Sequence, residues 1–412
     1  MTATTSPESR TQPDPFTAAA PGQRLAAYRA LSVGPGVQRV TLPDGNRAWL
    51  VTGHAEVRAL LGDPRLSKAL SPTSATVDRL LPDLAPALTQ HMLSADGAEH
   101  SRLRRLVSTA FTPRRVEQLA PRIDQIAEEL LDTLAGEIPP GEPVDLLARY
   151  AFPLPMTVIC ELVGVPEPDQ DRFRRWTNVM TAASFADPEP FRAAATGLIA
   201  YIRELIELRR AEPRDDLLSA LVSARDGSDR MSEDELTSMV WVLVLAGHET
   251  TVNLLSNGLY ELLIHPEQLV RLRTEPELIG RCVEELLRVG SPVHAAIAMV
   301  ATEPIEINQI PVAAGDIVIP ALMAANHDPC RVDAPDLLDI GRVDNPHMAF
   351  GHGMHYCLGA PLARLEARIA LASLLRRFPL LALAVEPDAV RWRPSLALHG
   401  PTNLPIILQP TR

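Results

Sequence analysis

The sequence has four cysteines in 412 residues, no apolar run of membrane-spanning length and no surplus of positive charge. Cys160, Cys282, Cys330 and Cys357 are scattered without paired spacing, which is not how a disulfide framework is laid out and fits a reducing cytoplasm. The longest apolar stretch, Met239 to Gly247, falls well short of the roughly 20 residues that cross a bilayer, so no membrane anchor is expected. A formal charge of -12 argues against a general nucleic-acid binder, because neutralising phosphates takes an excess of Lys and Arg over the binding face. Residues 1–15, rich in Thr, Ser and Pro, lack the basic start and apolar stretch of a signal peptide and are expected to form a loose tail. With no Gly/Ser linker, composition break or repeat, residues 16–412 are expected to form a single domain.

What is present reads as mainly α with a small β region. Helical periodicity and punctuation mark Ala55 to Leu61, Arg102 to Ala110, Arg114 to Leu134, Phe191 to Arg210, Ser232 to Ile264, Pro266 to Arg273, Glu277 to Arg288 and Leu358 to Arg377. Two hairpins are expected: Val37 to Leu42 with Ala48 to Thr52, and Ile305 to Ile310 with Asp316 to Ile319 around Ala313-Ala314-Gly315. The 38 prolines fall mostly between the helical segments, as stiff connectors.

One cysteine sits in unusual company, in the run Phe350-Gly351-His352-Gly353-Met354-His355-Tyr356-Cys357-Leu358-Gly359. An isolated cytosolic cysteine is most often a small buried hydrophobe. A thiolate that ligates iron needs backbone N–H groups aimed at its sulfur and a chain able to pass close under a flat macrocycle. Gly351 and Gly353 permit a tight turn, Gly359 permits close packing, and a following helix would favour the thiolate through its N-terminus.

The run matches the cytochrome P450 signature Phe-Gly-x-Gly-x-His-x-Cys-x-Gly at every specified position. The chain resembles that family over nearly its whole length, and most closely its soluble bacterial members that oxidise macrolides and other bulky natural products. The resemblance implies the P450 fold, with haem b between a long central helix and the helix after the cysteine loop. It assigns Cys357 to the iron, Phe350 to packing beside the sulfur, and His355 to a haem propionate.

The central helix opens on a capping box, Ser232 with Glu235. Its apolar run breaks at Gly247-His248-Glu249-Thr250-Thr251, where a buried carboxylate needs a reason. Gly247 would leave room for a bulky ligand against the helix, and Thr250 could bond a carbonyl one turn back and open a local groove. The run resembles the family's oxygen-activation motif at Ala246, Gly247, Glu249, Thr250 and Thr251. Thr250 would then stabilise activated oxygen, and Glu249 would relay protons from solvent. An acid and a hydroxyl here favour reductive use of O2 over peroxide chemistry.

Glu285 and Arg288, three apart on a helix, would ordinarily be a surface ion pair of little weight. The resemblance completes them with Arg342 as a buried structural triad. His100 and Arg104, four apart, would hold the haem propionates, whereas Arg102 and Arg105 fit a solvated basic face. Met299 is a departure, since the family usually carries there an arginine that contacts a propionate.

Together these imply a haem-thiolate monooxygenase that inserts one oxygen atom from O2 into a C–H bond, by hydroxylation or epoxidation. The chain has no flavin or nicotinamide fingerprint and no iron–sulfur spacing, so electrons from NAD(P)H would arrive through a ferredoxin and its reductase. Arg104, Arg105, Arg114, Arg115, Arg364 and Arg368 would form a basic dock. The resemblance places specificity in Leu66 to Leu93, Trp176 to Phe191, Val242 and Ala246, Val293 to Met299 (Val293, Ala296 and Ile297 in particular) and Leu398 to Asn403. Ala295, Ala296 and Ala298 would leave space for a bulky apolar molecule such as a macrolide, another polyketide or a steroid. The protein is expected to be a cytoplasmic monomer. The alternatives are a haem-binding sensor without turnover and a non-oxygenating or peroxide-using relative.

Overall fold

The computed structural model describes residues 14–182, 189–224 and 229–408. All but Asp14 and Pro15 of the expected tail lies outside them, as does part of the Trp176 to Phe191 segment.

The capping box forms as the sequence requires. Ser232 accepts the Glu235 backbone N–H, the Glu235 carboxylate accepts the Ser232 N–H, and the helix they open runs Glu233–Ile264. Buried side chains cover most of its circumference, which makes it the central strut of the molecule. It packs against Pro153–Val163, Ile279–Gly290 and Ala360–Arg377. The helix is long and apolar enough to cross a membrane, but 72% of its most apolar window is buried inside the fold.

The expected helix over Arg114 to Leu134 is two helices, Pro113–Gln118 and Ala120–Glu137. Pro121 accounts for the break, because it has no N–H to donate back to the Glu117 carbonyl and suits the first turn of a new helix. Arg102 is no solvated cation. It pairs with Glu99, Asp229 and Glu235, tying the helix Gly97–Ala110 to the start of the central helix.

Five short strands form the main sheet: β1 (Val37–Thr41), β2 (Arg47–Val51), β3 (Leu66–Ser67), β4 (Met299–Ala301) and β5 (Ile317–Pro320), in the order β1-β2-β5-β4-β3. The first hairpin, β1 with β2, forms as expected, with Val37 opposite Val51. The second does not. Ile305–Ile307 turns back at Asn308 and Gln309 to pair with Ile310–Val312, while β5 joins the main sheet beside β2 and β4. Asn308 and Gln309 both take positive φ, 46° and 66°, the twist that a two-residue hairpin prefers, and this outcompetes the glycine turn at Gly315.

Candidate active site

The cysteine loop is built by its glycines. Gly351 and Gly353 take φ of 72° and 73°, and a Cβ on Gly353 would meet the Leu61 carbonyl oxygen at 2.8 Å. The turn they allow brings the Cys357 N–H to within 2.9 Å of the Phe350 carbonyl. The helix Ala360–Arg377 starts three residues later. Burial pushes the Cys357 thiol up, while the N–H groups of Gly359 and Ala360 and the charges of Arg104 and Arg364 pull it down. Arg104 donates to the Tyr356 carbonyl at 2.7 Å. Phe350 lies under the Arg364 guanidinium, 4.4 Å from its ring centre, and edge-on to Tyr356. Leu358, next to the cysteine, belongs to the same apolar cluster as Leu243, Val244 and Leu245 of the central helix.

On that helix Val242, Ala246 and Thr250 recur every four residues and share one face. Ala246 is exposed, and the Thr250 hydroxyl donates to its carbonyl at 2.7 Å, the back-bond expected of a hydroxyl at this position. Gly247 does not serve a ligand in the expected way. A Cβ there would lie 3.1 Å from the Ile159 side chain, so its missing side chain admits the neighbouring helix. Glu249 turns elsewhere and accepts from Arg393 Nη1 at 2.8 Å, with its side chain 7% exposed and that of Arg393 38%.

At the loop's edge His100 is buried with neither ring nitrogen bonded, and its ring centre stands 4.3 Å from that of His355. Burial and the charge of Lys68 lower His355 to about 3. Buried Lys68 and His100 and half-buried Arg104 and His355 thus share one edge. The His100 ring N–H lacks an acceptor, and a haem with two carboxylates fits it together with Lys68 and Arg104. Cys357 could supply its sulfur ligand.

Glu285, Arg288 and Arg342 meet. Arg288 donates to Glu285 at 2.8 and 2.7 Å, and Arg342 Nε at 3.1 Å to each oxygen, with Glu285 and Arg288 fully buried. Asn345 and the Asp339 N–H complete the carboxylate's shell.

Among the expected substrate contacts, Val293 bridges to Leu398, which sets two of the specificity segments side by side. Ala296 and Ile297 are partly buried. Ala295 is fully buried in a core cluster with Tyr28, Leu50 and Ile319, and Ala298 packs on the same cluster, so core packing accounts for both. In the basic dock, Arg114 and Arg368 are exposed, but Arg364 is held by Glu284 at 2.7 and 2.8 Å.

Two polar residues escape the sequence reading. Arg393 lies 144 positions from Glu249 and carries no local signal. Glu366 is fully buried with one carboxylate oxygen unbonded, and burial raises it from 4.5 to about 8. Its place in the series Leu362, Glu366, Ala370, all buried, is a legible sign that it sits on an apolar stripe. A carboxyl raised on folding binds its proton more tightly in the native state, so stability falls as pH rises from the unfolded value near 4.5 through about 8. Glu366→Gln is expected to flatten that decline and to add on the order of 1–3 kcal/mol at the alkaline end. Denaturant midpoints measured across this pH window check it.

The cytochrome P450 family model matches residues 51–403. Cytochrome P450 107B1 of Saccharopolyspora erythraea is 46% identical over 376 residues, covering 90% of this chain and 91% of that one. The mycinamicin IV hydroxylase/epoxidase of Micromonospora griseorubida is 43% identical, covering 92% and 94%. The tirandamycin C-bound structure of the P450 monooxygenase TamI superposes with a TM-score of 0.85 at 43% identity, covering 96% of this chain and 99% of that one.

Proposed function

The chain belongs to the cytochrome P450 family, and from that premise we propose that it oxygenates a bulky apolar natural product, such as a macrolide, another polyketide or a steroid, with Thr250 and Glu249 delivering the protons. It is a haem-thiolate monooxygenase, using O2 and electrons from a redox chain. Haem held by Cys357 would supply the oxygen-splitting chemistry, since a thiolate raises electron density at iron and favours O–O cleavage.

The observation that carries the proton assignment is the back-bonded Thr250 hydroxyl beside the exposed Ala246. Its hydroxyl hydrogen is held by the Ala246 carbonyl, which fixes the oxygen two turns from Val242 on the open face. Glu249 sits one residue before it, with Oε1 held by the half-exposed Arg393. Oε2, 4.0 Å from the buried His248 Nε2, would take up a proton and pass it on toward the Thr250 hydroxyl. Val242, Ala246, Val293, Ala296 and Ile297 would line the apolar side. Two relatives point the same way, the mycinamicin IV hydroxylase/epoxidase and the P450 monooxygenase TamI, seen with tirandamycin C bound.

Electrons would come from NAD(P)H through a ferredoxin and its reductase, docking where Arg114 and Arg368 are exposed. The protein would act as a cytoplasmic monomer.

The test is reconstitution with ferredoxin, reductase, NAD(P)H and isotopically labelled O2, on a substrate found by screening for shifts of the haem spectrum. One labelled oxygen per product is expected. Thr250→Ala should keep consuming NAD(P)H while product falls about tenfold, equivalent to about 1.4 kcal/mol, and peroxide is released. Product made from peroxide alone, and unaltered by Thr250→Ala, would instead establish the peroxide-using alternative.

A further inference from the structure

The cationic edge near Cys357 holds a residue that the motifs do not include. β3 pairs antiparallel to β4 with Leu66 opposite Ala301 and Ser67 opposite Val300. The pairing ends there: Lys68 follows in the bend just after β3, beside the Met299 end of β4. Met299 is buried in an apolar cluster with Leu66, Val318 and Met348, and its thioether cannot hold an anion.

Lys68 is 7% exposed. Its ammonium has no hydrogen bond or ion pair among the described residues. The nearby acid, Asp96, is already engaged, accepting from the Ser67 hydroxyl at 2.6 Å and from the Lys68 and Ala69 N–H groups at 3.0 and 3.1 Å. Burial brings the lysine down to about 8, with Asp96 a partial offset. Asp96 also accepts the His100 N–H through its carbonyl at 3.1 Å, so Lys68 and the start of the helix that carries His100 and Arg104 meet on one residue. A buried cation whose charge is only partly offset gains stability when a further anion joins it. Here one carboxylate, Asp96, stands against two cations, Lys68 and Arg104, so the edge is short of negative charge.

We propose that Lys68 binds a haem carboxylate, supplying from the bend after β3 the cation that position 299 lacks. The proposal rests on haem binding and is independent of which substrate is oxidised. Lys68 would act as a point charge just after a strand, with His100 and His355 donating their ring N–H groups beside it.

The test uses purified holoprotein and follows haem transfer to excess apomyoglobin, with the carbon monoxide spectrum of the reduced protein confirming that Cys357 still ligates iron. Lys68→Met is expected to speed haem loss about tenfold, the weight of one charged hydrogen bond. Lys68→Arg should stay within about threefold of the parent, because it keeps the charge. The double variant Lys68→Met with Met299→Arg should recover most of the loss, since the charge returns at the adjoining end of β4. Unchanged haem loss in Lys68→Met overturns the proposal. So does a double variant that loses haem as fast as Lys68→Met. If Lys68→Met yields no holoprotein, its recovery in the double variant supports the proposal and continued failure there overturns it. Failure to find an oxygenated product leaves these rates untouched, so the two readings fail separately.

Discussion

Cys357→Ser is expected to leave a folded protein that has lost the thiolate-type carbon monoxide spectrum and at least about a thousandfold in turnover, equivalent to about 4 kcal/mol of barrier. Serine preserves the shape, because the loop is held by Gly351, Gly353 and the Cys357 N–H to Phe350 bond, none of which uses the sulfur. What changes is the donor. A hydroxyl does not ionise under the same neighbours and gives iron far less electron density than a thiolate does. No other cysteine can stand in. Burial pushes Cys160 and Cys282 up to about 12, and Asp328 raises the exposed Cys330. Only Cys357 has two N–H groups and two arginines opposing the rise among these four. Its thiol is still raised on balance, so iron ligation must displace a proton, and haem uptake should quicken as pH increases. Circular dichroism of the variant separates loss of chemistry from loss of fold, and retention of the thiolate spectrum would remove Cys357 as the ligand.

The features legible in the sequence are those encoded locally. The capping box at Ser232 marks its helix because donor and acceptor lie three residues apart, and the Thr250 back-bond spans one turn. The cysteine loop is legible because positive φ at Gly351 and Gly353 demands glycine. Features that depend on distant partners are not. Nothing near Glu249 announces Arg393, which arrives from the last segment of the chain, so the carboxylate expected to relay protons is also held by a cation. Gly247 and Ala295 mislead for a related reason. A small residue signals close approach without saying what approaches, and in both cases it is protein: the Ile159 helix for one and the Tyr28 cluster for the other. The second hairpin turns away from the expected glycine because Asn308 and Gln309, rather than Gly315, carry the paired left-handed twist. The parallel pairing of β2 with β5 joins residues well over half the chain apart, and periodicity has no access to it.

Glu285→Ala is expected to destabilise the fold by about 3–5 kcal/mol, enough to remove most holoprotein at growth temperature. The carboxylate is the common acceptor for Arg288, Arg342, Asn345 and the Asp339 N–H, so its loss orphans several donors at once. Arg288 is fully buried, and its remaining donors reach only carbonyls, those of Asn326, Pro335 and Leu337. An uncompensated guanidinium in that position is worse than no guanidinium, because the missing hydration is not returned. Glu285→Gln keeps the shape but removes the charge, and should fall between the parent and Glu285→Ala. Arg288→Lys should also be costly, since an ammonium cannot make the two parallel bonds at 2.8 and 2.7 Å that the guanidinium makes. Removing both partners, as in Glu285→Leu with Arg288→Met, should destabilise by less than the sum of the single changes, because neither charge is left stranded. Urea unfolding of the double variant beside its two single changes measures this directly. Strict additivity would mean that the pair acts through two independent sets of contacts, and that the buried ion pair is not the element holding the Asp339 to Asn345 segment against its helix.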